Sequence, residues 1–311
     1  MLIRQWVDAV EQQDTLERPS LGVQRLVRRI SARAGHLNDV LHGVPLGHPL
    51  HPAAVQVPLG AWLTGAALDV IGAVTGRREF LTGADASVAL GLAGALVALP
   101  AGFNDWQYTL GRPRRLGLVH ALINTSATLL QGLSLALRLA GARRAGSVLS
   151  GLTLAGLGVS AYLGSEMDLH HRIGADHTAG QRLPADWVPV LPEAELPENQ
   201  PRQVLANGVP VLLVRQDGAI HALPATCTHL GGPLPQGTLG EGAITCPWHS
   251  TRFALADGRV LRGPGTYAER CLHTRVRDGQ IEVGPAERLG HCRHESITEA
   301  PRESMPATRG E

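Results

Sequence analysis

Apolar positions along the chain fall into two regimes. Between residues 53 and 164 four long apolar runs follow one another. Residues 53–75 read AAVQVPLGAWLTGAALDVIGAVT, broken by one Gln and one Asp. Residues 86–103 (ASVALGLAGALVALPAGF) and 145–164 (AGSVLSGLTLAGLGVSAYLG) carry no charge, and residues 116–137 (LGLVHALINTSATLLQGLSLAL) hold one His and one Asn. Each run is long enough to cross a hydrocarbon core of about 30 Å as a helix. All four are rich in Gly, Ala, Ser and Thr, which lets helices approach closely, so a tight four-helix transmembrane bundle is predicted. A buried soluble bundle would need a polar outer stripe that four successive runs do not supply.

From Trp187 the period changes. Short runs VLLV (211–214), AIHAL (219–223), AITC (243–246), RFAL (252–255), CLHTRVR (271–277) and QIEV (280–283) are separated by Gly, Pro, Asp and Asn. The triplets QDG (216–218), ADG (256–258) and RDG (277–279) are hairpin signals. A small all-β domain follows. Before residue 45, Leu21, Leu26, Val27 and Ile30 form a rough helical stripe among arginines, an amphipathic helix resting on protein or membrane lipid.

The expected organisation is multi-domain, an all-α four-helix transmembrane bundle followed by an all-β domain. An N-terminal amphipathic segment spans 1–45, the membrane domain 46–168, and a polar linker with His170, His171 and His177 runs over 169–186. The β domain covers 187–285, and a charged, Pro-containing tail over 286–311 is expected to be disordered.

Composition adds exclusions. Mean hydropathy is near zero only because an almost uncharged middle is averaged with polar ends. The formal net charge is +1 and no basic run is interleaved with aromatics, so no nucleic-acid partner is expected. The first fifty residues lack an apolar core of secretory-signal type, and no export signal is expected. Four spans put both termini on one side. Arg33, Arg112, Arg114, Arg115, Arg172 and Arg182 flank that side, against Arg77, Arg78, Arg138, Arg143 and Arg144 on the other, a bias towards cytoplasmic termini.

The chemistry lies in Cys227-Thr-His229-Leu-Gly-Gly and Cys246-Pro-Trp-His249-Ser, with sixteen residues between His229 and Cys246. Each half offers one thiolate and one imidazole. Zinc accepts such a set. The one-residue gap between Cys and His is short for zinc, and the halves sit on two Gly/Pro-rich loops between strands, which favours iron–sulfur. With GPGT (263–266) as a third loop, residues 187–285 resemble a Rieske [2Fe–2S] domain. The resemblance implies one [2Fe–2S] cluster with Cys227 and Cys246 on one iron and His229 and His249 on the other. Respiratory Rieske proteins carry an additional cysteine in each loop; here those positions are Gly232 and Trp248, so that disulfide cannot form. They also carry a Ser and a Tyr that donate hydrogen bonds to sulfur, where this chain has Thr251 and Phe253. Fewer donors favour the oxidised state, so a low-potential, ferredoxin-like cluster is expected. Cys271 reads as a small core residue, and Cys292 as a free thiol in the tail.

GHPLHP places His48 and His51 before the first span, with Pro52 set to start its helix. His120 and Asn124 lie four apart on one face of the third run, His120 about 6 Å inside its helix end. Asn104 and Asp105 close the second run, Asp168 follows the fourth, and Asp69 lies near the opposite membrane face. By topology the polar groups other than Asp69 gather at one face. Such a cluster either fixes helix packing or holds haem b or a quinone, the haem between His48 or His51 and His120. These features, over about residues 40–170, resemble the DUF2231 type of uncharacterised bacterial four-span protein, which implies a fold but no settled activity.

The expected function is a membrane-anchored carrier of single electrons, exchanging them with a redox partner protein or quinone in the bacterial cell membrane. The alternatives are a ferredoxin-like component of a separate oxygenase, and a redox sensor or structural membrane protein. A self-contained oxygenase needs a large mononuclear-iron domain after the Rieske part, and 26 residues follow, so none is expected. No catalytic residue is assigned, and the sequence does not fix the oligomeric state.

Overall fold

In the region of the four apolar runs, many large apolar side chains face outward, and much of the interior is built from small residues around a few large ones such as Trp62, Leu116 and Leu163. Leu63, Val70, Val74, Leu90, Leu96, Leu129, Leu152 and Val159 are exposed, while Ala84, Ala95, Ala98, Ala101, Ser134 and Ser150 are buried. A soluble bundle has the reverse arrangement, because its driving force is apolar burial away from water. Here the outward surface suits lipid, and the small inward residues allow close helix packing.

The computed structural model describes residues 2–287 and 294–296. The chain divides into two units, residues 1–176 with 262–267, and residues 177–261 with 268–311. The helices of the first unit are α1 (Leu2–Gln12), α2 (Glu17–Ser31), α3 (His36–His42), α4 (Leu50–Ala54), α5 (Gln56–Thr75), α6 (Arg78–Trp106), α7 (Gly111–Leu139) and α8 (Arg143–Ser165). Four stretches, Leu50–Thr75, Arg78–Trp106, Gly111–Leu139 and Arg143–His170, are long and apolar enough to cross a membrane. α8 runs on into one π-helical turn over Glu166–His170, so Asp168 belongs to the fourth stretch and does not lie beyond it.

In the N-terminal segment α2 also buries polar residues that lie off the apolar stripe. Leu26 and Ile30 of α2 are exposed, whereas Ser20 and Gln24 are buried. The reason is the carbonyl groups left open at the end of α6. Gln24 Nε2 donates to Trp106 O and Thr109 O, each at 3.0 Å, and Arg28 Nη2 donates to Gln107 O at 2.8 Å. Glu17 pairs with both Arg114 and Arg115 at the start of α7. The inward side of α2 therefore combines polar Ser20 and Gln24 with Val23, which packs on the apolar cluster of Trp106 and Leu116.

The second unit holds β1 (Val188–Pro192), β2 (Arg202–Ala206), β3 (Val209–Gln216), β4 (Ala219–Pro224), β5 (Thr238–Gly240), β6 (Ala243–Thr245), β7 (Arg252–Ala254), β8 (Val260–Arg262), β9 (Cys271–Arg277), β10 (Gln280–Glu287) and β11 (His294–Ser296). One sheet runs in the order β1-β10-β9-β4-β3-β2, with β11 paired to β9, and a smaller one in the order β5-β6-β7-β8. The expected hairpins form: Asp217-Gly218 and Asp278-Gly279 adopt successive left-handed conformations between β3 and β4 and between β9 and β10.

The continuous run in β3 makes sense by period. Val211 and Leu213 enter one apolar cluster with Ile220, Leu272 and Ile281, while Leu212 and Val214 enter a second with Ile244, Phe253, Cys227 and Cys246. A strand buried on both faces needs no polar alternation. Each fully buried Leu, Ile or Phe of these clusters contributes roughly 1.5–3 kcal/mol.

Two expectations change at the far end. β10 extends to Glu287 and residues 294–296 pair with β9, so strand structure passes the expected boundary at 286. Cys271 is buried, as a core residue should be, and it is also disulfide-bonded. Cys292 lies outside the described residues.

Candidate metal centre

Two loops of the second unit present the sequence-predicted ligands. The first leaves β4 and turns tightly: Cys227 N donates to Gly232 O at 2.8 Å and Gly231 N to Cys227 O at 3.0 Å. The second leaves β6: Cys246 N donates to Thr251 O at 2.8 Å and Ser250 N to Cys246 O at 3.1 Å. Ser250 closes that turn at φ 63°. Left-handed backbone is cheapest for a residue without a Cβ, so a serine is held there at a small conformational cost.

The loops bring together the four predicted side chains. The Cys227 and Cys246 side chains are buried and hydrogen-bonded to each other, and the His229 and His249 rings lie 5.1 Å apart at 89°. The shared proton raises the Cys227 thiol, with burial adding to the effect, and lowers Cys246 to about 6. Backbone N–H groups of Trp248 and His249 donate to the Cys246 sulfur, and that of His229 to the Cys227 sulfur. Such donors favour thiolate. A Cβ on Gly232 would lie 2.7 Å from Cys246 Sγ and 3.3 Å from Trp248 Cγ. The two positions that carry cysteines in respiratory relatives thus face one another, with the Trp248 indole in the space. Two thiols, two imidazoles and convergent backbone donors fit a [2Fe–2S] group.

The sequence reading missed Glu269. Its side chain is buried, and its Oε1 accepts from Thr228 N at 2.8 Å, which ties the first ligand loop to the segment before β9. No local pattern flags it, because the contact spans 41 residues.

The first unit gathers part of the predicted polar cluster. The His51 and His120 rings lie 6.3 Å apart at 90°. Asn124 Nδ2 approaches His120 Nε2 at 3.1 Å, as their spacing predicts. His48 does not join them: its Nδ1 meets Pro49 O at 2.9 Å and its ring sits 6.0 Å from Tyr267. His48 precedes α4, whereas His51 lies within it. His42, which the sequence reading did not single out, is fully buried and donates from Nδ1 to Asp105 Oδ1 at 2.8 Å. His51, His120, Asn124, Asp105 and Asp168 line one cavity of about 260 Å³, with Trp62, Phe103 and Trp106 among its walls.

Fold and site define a two-part protein, a bundle of membrane-length helices joined to a β domain with a two-cysteine, two-histidine loop pair. The chain belongs to the Rieske [2Fe-2S] domain family through residues 186–274, and residues 47–177 match the predicted membrane protein family DUF2231. It therefore carries a Rieske [2Fe–2S] electron-transfer domain together with a membrane domain. It is 32% identical over 80 residues to the ferredoxin component of a naphthalene 1,2-dioxygenase system from Pseudomonas aeruginosa, covering 26% of this chain and 77% of that protein. It is 39% identical over 71 residues to mouse (Mus musculus) apoptosis-inducing factor 3, covering 23% of this chain and 12% of that protein's length. Among solved structures, the ferredoxin of carbazole 1,9a-dioxygenase from Nocardioides aromaticivorans IC177 matches with a TM-score of 0.31 at 25% identity, over 32% of this chain and 99% of that one.

Proposed function

We propose that this protein is a membrane-anchored carrier of single electrons, in which Cys227, His229, Cys246 and His249 hold the [2Fe–2S] cluster. The observation that carries this reading is the convergence of two buried thiols and two imidazoles on loops whose backbone N–H groups aim at sulfur. When bound, the cluster supplies a one-electron couple, and its imidazole ligands make it less negative than an all-thiolate one. The chain's own part is to hold the ligands and to donate hydrogen bonds from His229, Trp248 and His249. Phe253 and Leu212 exclude water beside the cysteines. The partner is a redox protein or a membrane quinone, and the Rieske domain faces the cytoplasm, in line with the arginine bias.

A second reading, a ferredoxin-like donor to a separate oxygenase, is favoured by the identity to a dioxygenase ferredoxin component. Optical and EPR spectra of the detergent-purified chain test the common core. A reduced Rieske signal that disappears in Cys227→Ser and in His249→Ala is expected; a signal surviving either change overturns the ligand set. Reconstitution with a ferredoxin-dependent ring-hydroxylating oxygenase separates the two readings, since turnover would be expected only under the second. Labelling of a cysteine placed at Gly240 in intact cells and in inverted vesicles tests the orientation, with labelling in inverted vesicles alone expected.

A further inference from the structure

The cavity of the first unit lies among helices of membrane length and combines apolar and aromatic walls with a few polar atoms, the usual make-up of a small-molecule site. An apolar cavity of about 150 Å³ holds one benzene ring. The cavity of about 260 Å³ therefore has room for one ring with substituents and not for a tetrapyrrole.

Its hydrogen-bonding character follows from what each imidazole already does. His51 Nδ1 lies 2.8 Å from Ala98 O, and a carbonyl only accepts, so Nδ1 carries the proton. In the neutral ring Nε2 is then an acceptor. Among the described residues no hydrogen-bond partner meets His51 Nε2, and the ring lines the cavity. His120 is occupied at both nitrogens: Nδ1 lies 2.9 Å from Ser160 O, and Nε2 meets Asn124 Nδ2. His51 and His120 therefore do not form an open axial pair. Asp105 and Asp168 add carboxylates to the lining.

The His51 ring is seated by design of the sequence. It rests on Gly102 of α6, where a Cβ would come within 2.7 Å of it. His120 rests likewise on Gly164 of α8, at 3.1 Å. The backbone fixes the tautomer and the glycine fixes the plane, so the acceptor is pre-organised.

We propose that this cavity binds the head group of a membrane-soluble hydroquinone, with His51 Nε2 accepting one phenolic O–H. One ring fits the space, aromatic walls suit its faces, and a fixed acceptor prefers an O–H donor to the carbonyl of the oxidised quinone. The inference concerns binding and stands apart from the electron-carrier reading: it can fail with the cluster intact, and hold if the cluster ligands are reassigned.

The test is anaerobic titration calorimetry of the full chain in lipid nanodiscs, with the cluster oxidised. The probes are trimethylhydroquinone, trimethylbenzoquinone and the dimethyl ether of the hydroquinone. The hydroquinone is expected to bind about tenfold more tightly than the other two, the effect of one hydrogen bond. His51→Phe keeps a ring on Gly102 but removes the acceptor, and should weaken hydroquinone binding about tenfold while leaving the Rieske spectrum unchanged. Equal affinity for hydroquinone and ether, no hydroquinone binding, or full affinity in a folded His51→Phe protein would each overturn the proposal. If His51→Phe does not fold, the comparison of the three probes on the unaltered chain decides alone.

Discussion

The Arg138 guanidinium is buried against the Asp69 carboxylate, with Nη1 2.8 Å from Oδ1 and Nη2 paired to Oδ2. Asp85 accepts from the same guanidinium at 3.2 Å and also pairs with Arg143, so two carboxylates balance two guanidinium groups. Gly146 leaves room for the Arg138 stem, since a Cβ there would lie 2.8 Å from Cγ. Removing one partner of such a network strands the rest in a poorly solvated place. Arg138→Met should lower stability by about 3–5 kcal/mol. Asp69→Asn should cost less than that, because an amide can still accept from the guanidinium. Thermal unfolding of the detergent-purified variants checks the order; equal midpoints for wild type and Arg138→Met would show that the pair stabilises nothing.

Gly232 supplies a test of the cluster pocket that leaves all four ligands in place. A methyl group there would press from 2.7 Å on Cys246 Sγ, a buried ligand atom that the bound cluster would hold in place. Gly232→Ala should therefore reduce cluster occupancy, read as iron per chain and as the visible absorbance of the purified protein. Gly240, whose Cβ would meet nothing within 4 Å, is the control, and Gly240→Ala should retain full occupancy.

The potential should respond to a single hydroxyl. Phe253 is fully buried in the cluster of side chains that includes Cys227 and Cys246, and its ring offers no donor. Phe253→Tyr introduces an O–H beside the sulfurs. A donor to sulfur stabilises the more negative, reduced state and so raises the potential. A hydrogen bond worth about 0.5–1.5 kcal/mol corresponds to roughly 20–65 mV for one electron, at 59 mV per tenfold change. An EPR-monitored redox titration should show the rise; an unchanged or lowered potential would mean the hydroxyl does not reach sulfur.

These residues also show what could be read in the sequence. Val211 to Val214 announced a strand by being apolar throughout, and Asp217-Gly218 announced its turn, because both are short-range properties of the chain. The two Cys-x-His-type loops were legible for the same reason, each ligand pair being local. Gln24 was not legible. Its burial follows from open carbonyls more than eighty residues away, and helical period gives no sign of that. Glu269, His42 and the partner of Asp69 escaped similarly, since each matters through a contact between distant segments. His48 and His51, three residues apart, read alike in sequence, and the start of α4 between them separates their fates.

His221 gives the β domain a pH dependence. It lies on β4, partly buried, and burial pushes its pKa below the ordinary value, with His294 on β11 adding to the shift and Asp217 and the Leu255 backbone opposing it. The unfolded chain takes up a proton near the ordinary histidine value of about 6.5. The folded domain does so only at lower pH. Above about 6.5 both states are neutral and His221 makes no difference to stability. Below that, the unfolded state binds more protons, so stability falls as acid is added. His294, itself lowered first by burial and then by Arg215, acts in the same direction. The thermal midpoint for loss of the cluster's visible absorbance should thus be lower at pH 5.5 than at pH 7.5. The gap should narrow in His221→Gln, which cannot take up the proton. A gap of unchanged size in that variant would assign the acid sensitivity to other groups.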